Sequence, residues 1–263
     1  MSEGARDARQ PAGGRIFSRR LRPGIADTDS TGEVRLDAIA RWLQDIAYLD
    51  VVDAGFEHRG AWIVRRTRIR ARALPRFGED LVVRTFCSGM GRFCAERTTT
   101  VEGTTASVEA VAVWVHLDPG RRTPARFDGA FRSVYAESAA GRTASPRLGH
   151  PAPPAGAEPS PWEFRSTDLD LAGHVNNSHY WAILEACLRE GHGERRRWGG
   201  PGAIGAEVEH HAAAGEGTAR VLRSEEGIWV TTTAGEVLAS IAPLPAQQGG
   251  PGTGRGPRGG IAR

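Results

Sequence analysis

The densest set of reactive side chains in this 263-residue chain is Asp168-Leu169-Asp170-Leu171-Ala172-Gly173-His174-Val175-Asn176-Asn177-Ser178-His179-Tyr180. It combines carboxylates, an imidazole and amides, groups suited to moving protons and holding polar substrates, just ahead of an apolar helical pattern. One polar side chain is enough to cap a helix, and Gly173 can supply the positive φ of a turn. Asp170, His174, Asn176 and Asn177 together exceed that need, and setting them beside an apolar helix has a desolvation cost that packing alone does not explain. The segment therefore reads as an active site at a helix N-terminus.

A weaker copy, Asp27-Thr28-Asp29-Ser30-Thr31-Gly32-Glu33-Val34, lies upstream at a constant offset (168 − 27 = 170 − 29 = 141). It keeps the Asp-x-Asp-x-x-Gly-x-Val skeleton but has Glu33, Arg35 and Leu36 where the second copy has His174, Asn176 and Asn177. The shared skeleton reads as structural and the differences as functional. Asp29, Gly32, Asp168 and Gly173 are accordingly turn and cap residues.

The elements that must hold these segments follow the same duplication. Leu36, Ile39, Ala40, Leu43, Ile46 and Ala47 recur at spacings of three and four, which predicts an amphipathic helix over residues 35–54. Strands are expected at 61–73, 79–88, 93–101 and 107–117, rich in Val, Ile, Thr, Trp and Phe and separated by Gly and Pro. Residues 137–161 are too rich in proline for a helix or central strand and read as a linker. Beyond it come a short strand at 162–165, a helix with Tyr180, Ile183, Leu184, Cys187 and Leu188 on one face, and strands near 203–210, 218–222, 228–233 and 237–243. This gives a first domain over 15–136, a second over 162–245, and polar Gly- and Pro-containing tails at 1–14 and 246–263.

Composition narrows the function classes. The net charge of +3 is too small to argue for a nucleic-acid partner, and all 34 basic residues are arginine, a pattern of coding bias in a chain also rich in Ala, Gly and Pro. Three cysteines without a Cys-x-x-Cys pair suggest neither a disulfide framework nor a zinc knuckle, and fit a reducing cytoplasm. Cys187 falls on an apolar helical face, the setting of a core residue rather than a nucleophile. The histidines lack ordinary zinc spacing, and no apolar run approaches a membrane span. No metal or cofactor is expected.

Asp170-x-x-Gly173-His174-Val175-Asn176-Asn177-x-x-Tyr180 resembles the signature of hotdog-fold thioesterases, and residues 16–245 resemble the acyl-ACP thioesterase family. Trp62-Ile63-Val64-Arg65-Arg66 and Leu74-Pro75-Arg76-Phe77-Gly78-Glu79 are similar to that family's Trp-x-x-x-Arg and Pro-x-aromatic-Gly-acid segments. Two departures stand out. Ala172 occupies the position of an Asn in the plant-type family, and the motif form here is closer to single-hotdog acyl-CoA thioesterases.

The resemblance implies an α+β fold, a tandem (double) hotdog with each antiparallel sheet wrapped around a central helix. It implies hydrolysis of acyl-ACP to free fatty acid, with acyl-CoA hydrolysis or non-catalytic acyl binding as alternatives. Asp170 would act as general base or nucleophile, with His174 and Asn177 orienting water or carbonyl and N–H groups from His174 to Asn176 facing the oxyanion. The family's Glu on the following strand falls on Glu207 or His211, depending on the gap. Acyl carrier protein is acidic, so Arg66, Arg68, Arg70 and Arg72, or Arg195-Arg196-Arg197, are candidate docking groups. Two such units in one chain are compatible with a monomer or a homodimer.

Overall fold

The computed structural model describes residues 11–57, 61–118, 120–190, 194–200 and 202–245. Of the expected tails, 1–10 and 246–263 lie outside the described residues.

The elements run β1 (Phe17–Leu21), α1 (Leu36–Asp53), β2 (Ala61–Ala73), β3 (Leu81–Met90), β4 (Cys94–Glu102), β5 (Ser107–Leu117), α2 (Gly129–Ala139), β6 (Ser160–Phe164), α3 (His179–Glu190), β7 (Ile204–His210), β8 (Gly217–Arg223), β9 (Ile228–Thr232) and β10 (Val237–Pro243). All ten strands form one antiparallel sheet in the order β1-β3-β4-β5-β2-β7-β10-β9-β8-β6. Read from each edge to the centre, the order is 1-3-4-5-2 and 6-8-9-10-7, so every strand of the first half has its counterpart five strands later. The halves meet where β2 pairs with β7, with Arg68 opposite Glu207 and Arg66 opposite Glu209. Opposite charges facing across two strands favour this register.

The main core joins both halves. Leu36, Ile39, Leu43 and Ile46 of α1 and Ile183, Leu184 and Cys187 of α3 belong to one buried cluster with Ile69, Ala206, Val208 and Ile241 of the sheet. The spacings of three and four that predicted both helices are the residues that face the sheet.

Two elements were not expected. β1 is short and carries Ser-Arg-Arg, which hides its period of two. α2 is capped by Asp128, whose carboxylate accepts the Phe131 N–H at 2.7 Å, but Gly129 and a weak apolar stripe mask the helix. This helix also moves the linker boundary: the stretch between α2 and β6 begins at Ala140 rather than residue 137. A second apolar cluster, including Phe56, Cys87, Ala95, Phe127, Phe131 and Tyr135, lies under α2.

Candidate active site

The turn ahead of α3 is built by its own backbone. The Asp170 N–H donates to the His174 carbonyl at 2.8 Å, Gly173 N–H to the Asp170 carbonyl at 2.9 Å, Asn176 N–H to the Asp168 carbonyl at 2.9 Å, and Val175 N–H to the Ala214 carbonyl at 2.8 Å. Gly173 has φ +73°, a conformation that costs other residues steric strain. The upstream copy makes the corresponding bonds: Asp29 to Glu33, Gly32 to Asp29, Arg35 to Asp27 and Val34 to Pro75, at 2.8 to 3.0 Å, with Gly32 at φ +79°. Asp168 and Asp27 each accept an N–H three residues back, from Arg165 and Gly24, both at 2.9 Å. The duplicated skeleton is thus a duplicated hydrogen-bond scaffold.

The copies differ in what they leave open. In the first, Asp29 Oδ1 accepts the Glu33 N–H at 3.2 Å, and the Glu185 carboxyl from α3 faces the Leu36 N–H. In the second, the equivalent N–H groups of His174 and Asn177 have no hydrogen-bond partner among the described residues. Those of Val175 and Asn176 are spent on backbone carbonyls. Of the three donors expected between His174 and Asn176, the structure therefore leaves only His174, and adds Asn177. Two unpaired N–H groups at a helix start can hold a negative oxygen.

Asp170 accepts the Ala172 N–H on Oδ1 at 2.8 Å and is half-buried, as are His174 and Asn177. Asn176 is occupied. Its Oδ1 accepts the Ser178 N–H at 2.9 Å, its carbonyl accepts the His179 N–H at 3.0 Å, and its side chain pairs with the Gln44 amide of α1. Asn176 fastens the entry to α3, and sequence reasoning missed Gln44 because nothing in the α1 pattern marks a partner 132 residues away.

Gln44 also lines a cavity of about 290 Å³ between α1, the sheet and α2, together with Ala47, Tyr48, Val51, Phe56, Trp62, Cys87, Trp114, Phe131 and Tyr135. Its walls are mainly apolar. Arg97 borders it and ends on the buried Asp50 carboxylate at 2.7 Å, which Arg15 at 2.6 Å and the Tyr135 hydroxyl at 3.0 Å also engage. Burial, with the Asp50 charge, pushes the Tyr135 hydroxyl up to about 12.

Glu207 and His211, the expected additional catalytic groups, are placed elsewhere. Strand alternation turns Ala206, Val208 and His210 of β7 toward the helices and Glu207 and Glu209 toward the opposite face. There Glu207 pairs with Arg68, Arg66 and His150, and Glu209 accepts the Gly149 and His150 N–H groups at 2.7 and 3.0 Å. His211 meets the Ser240 hydroxyl at 2.9 Å, which also meets His150. These contacts fasten the linker to the sheet. His150, Glu207 and Glu209 bring ligand-type atoms within 4.8 Å of one another, yet Glu207 is already neutralised by two guanidinium groups. The arginine row is similarly engaged: Arg66 donates to the Arg147 carbonyl at 3.2 Å and Arg70 to the Pro245 carbonyl at 2.9 Å. Arg197 donates to the Glu225 and Ser224 carbonyls, while Arg195 offers no described side chain.

Beside Ala206 and Val208, the titratable β7 residue that faces α3 is His210. It is buried, its ring lies 5.3 Å edge-on from that of Tyr180, and neither ring nitrogen has a hydrogen-bond partner among the described residues. Burial pushes it down to about 3, so it is neutral.

Comparison with known proteins places the fold in the hotdog-type class found in thioesterases. The structure resembles an acyl-ACP thioesterase from Bacteroides thetaiotaomicron (TM-score 0.69, 18% identity, covering 86% of this chain and 96% of that one). It also resembles the 12:0-ACP thioesterase from Umbellularia californica (TM-score 0.66, 14% identity, 86% and 95%). Residues 14–135 match the acyl-ACP thioesterase N-terminal domain and residues 153–191 the acyl-ACP thioesterase C-terminal domain. The chain belongs to the acyl-ACP thioesterase family and is a hydrolase of fatty acyl thioesters. In sequence it is similar to the Mycobacterium tuberculosis protein Rv2001, 25% identical over 181 residues, 68% of this chain and 72% of that one.

Proposed function

We propose that the chain is a tandem pair of hotdog units with one catalytic centre, at the N-terminus of α3, and that it releases medium-chain fatty acid from acyl carrier protein. The observation that carries this is the contrast between the two copies of the turn: the N–H groups of His174 and Asn177 have no partner among the described residues, whereas those of Glu33 and Leu36 face Asp29 and Glu185.

In this reading the thioester carbonyl lies against the two open N–H groups, which stabilise its charge as the tetrahedral intermediate forms. Asp170 draws a proton from water or attacks the carbonyl itself, and the His174 and Asn177 side chains orient the reacting groups. Asn176 holds the turn. The acyl chain enters the cavity at Gln44 and runs along α1 toward Val51. Seven residues of helix rise about 10 Å, and an extended chain advances about 1.2 Å per bond, so the cavity suits an acyl chain of about eight carbons. Among the described residues no helix is long and apolar enough to cross a membrane.

The test is hydrolysis of matched hexanoyl, octanoyl, decanoyl and hexadecanoyl esters of acyl carrier protein and of coenzyme A. Octanoyl and decanoyl carrier-protein esters are the expected best substrates. Faster turnover of the coenzyme A esters would overturn the carrier assignment, and turnover of neither series would favour acyl binding without catalysis.

A further inference from the structure

The repeat that relates the two turns also relates two residues deeper in the helices. Gln44 and Glu185 are separated by the same offset (185 − 44 = 141), as are Leu36 and Asn177 (177 − 36 = 141). Each side chain reaches across to the N-terminus of the other helix, but with opposite effect. Glu185 directs its carboxyl at the Leu36 N–H at the start of α1. Gln44 instead forms a two-way amide pair with Asn176: Gln44 Nε2 donates to Asn176 Oδ1 at 2.9 Å, and Asn176 Nδ2 donates to Gln44 Oε1 at 3.2 Å.

From this we infer that Gln44 is a positioning residue for the hydrolysis: by pairing with Asn176 it holds the entry to α3 so that the Asn177 N–H, next in the chain, stays open. The inference rests on the α3 N-terminus being the catalytic centre. An amide both donates and accepts, so it can satisfy Asn176 without approaching the neighbouring N–H groups. A carboxylate only accepts. At position 44 it would lose the bond to Asn176 Oδ1 and turn its oxygens to the unpaired donors, filling the place where the oxyanion must form, as the Glu185 carboxyl does at the Leu36 N–H of the other helix. Gln44 is also the residue through which the cavity touches the turn, since it borders the acyl space and bonds Asn176 at once.

The experiment is steady-state hydrolysis of octanoyl carrier-protein ester by the wild type, Gln44→Glu, Gln44→Met and Glu185→Gln. Gln44→Glu is expected to lower kcat by about 10²–10³, the loss that follows removal of one oxyanion donor, with KM little changed. Gln44→Met keeps the shape without the hydrogen bonds and should lose about tenfold in kcat, the worth of roughly one hydrogen bond. Glu185→Gln should keep wild-type kcat. Wild-type kcat in both Gln44 variants, or a change confined to KM, would overturn the inference while leaving the functional reading intact. If the wild type hydrolyses neither carrier ester, the functional reading falls. Gln44 is then judged by binding of the octanoyl amide analogue of pantetheine, which keeps the carbonyl and resists hydrolysis. Clearly weaker binding by Gln44→Glu than by the wild type supports the part that needs no catalysis, that Gln44 keeps the Asn177 N–H open to a carbonyl, and equal binding overturns it.

Discussion

Asp29 and Asp170 accept the same turn bond at the same length, from the Thr31 and Ala172 N–H groups, both at 2.8 Å. Beyond that bond they diverge. Asp29 also accepts the Thr31 hydroxyl at 2.7 Å and the Glu33 N–H at 3.2 Å, and Arg189 lies 3.3 Å away. Burial works to raise the Asp29 carboxyl, but these hydrogen bonds and the Arg189 charge hold it below the usual range. Ala172 has no hydroxyl to offer, and the His174 N–H does not turn to Asp170. One scaffold therefore carries a carboxylate saturated by its own loop and another that keeps acceptor capacity for a substrate or water.

Loss of the Asp50 carboxylate is predicted to destabilise the fold strongly. Asp50 is 1% exposed and Arg97 10% exposed, so Asp50→Ala leaves a guanidinium buried without its partner. Breaking a buried pair this way costs about 3–5 kcal/mol. Thermal unfolding should show a Tm lower by about 6–20 °C. A change within experimental error would mean that water, not Asp50, compensates Arg97.

Glu185 should make stability fall as pH rises. Burial pushes its carboxyl up to about 7, against an ordinary value of 4.5, so the folded state holds the proton more tightly than the unfolded chain. The resulting stabilisation is fully present below pH 4.5 and is lost between there and about pH 7. Glu185→Gln should flatten this part of the profile and raise the urea midpoint at pH 8. An unaltered profile would refute the assignment.

His210 should act with the opposite sign. Its imidazole, held down to about 3 by burial, stays neutral while the unfolded chain takes up a proton below its ordinary 6.5. Stability is therefore retained above pH 6.5 and lost progressively as pH falls toward 3. His210→Phe keeps a ring against Tyr180 and removes the titration, so its urea midpoint should drop less than that of the wild type between pH 7 and pH 4.5. Equal drops would show that His210 does not contribute to acid sensitivity.

Much of this architecture is legible in the chain because burial imposes periodicity. The spacing of Leu36, Ile39 and Leu43 marks α1, and β2 and β5 fall at the expected residues 61–73 and 107–117. The turn before α3 is legible for another reason: its copy at residues 27–34 separates scaffold from difference. What could not be read is partnership across the fold. Glu207 and His211 sit near a family position in sequence, but the two-residue period of β7 sends Glu207 to the linker side and presents His210 to α3 instead. The arginine row alternates as expected, with Thr67, Ile69 and Ala71 buried opposite, yet its charges meet Glu207 and the carbonyls of the linker and of Pro245. Gln44 has no local signal, since its meaning comes from Asn176.

That the two copies of the turn are equivalent in structure and unequal in chemistry is tested directly by exchanging one oxygen in each. Asp170→Asn and Asp29→Asn both retain an Oδ1 for the turn bond, so both should fold. Asp170→Asn is expected to lose at least about 10²-fold in kcat on octanoyl carrier-protein thioester, the lower range of general-base effects, while Asp29→Asn keeps wild-type kcat. Full activity in Asp170→Asn, or an equal loss in both variants, would contradict it.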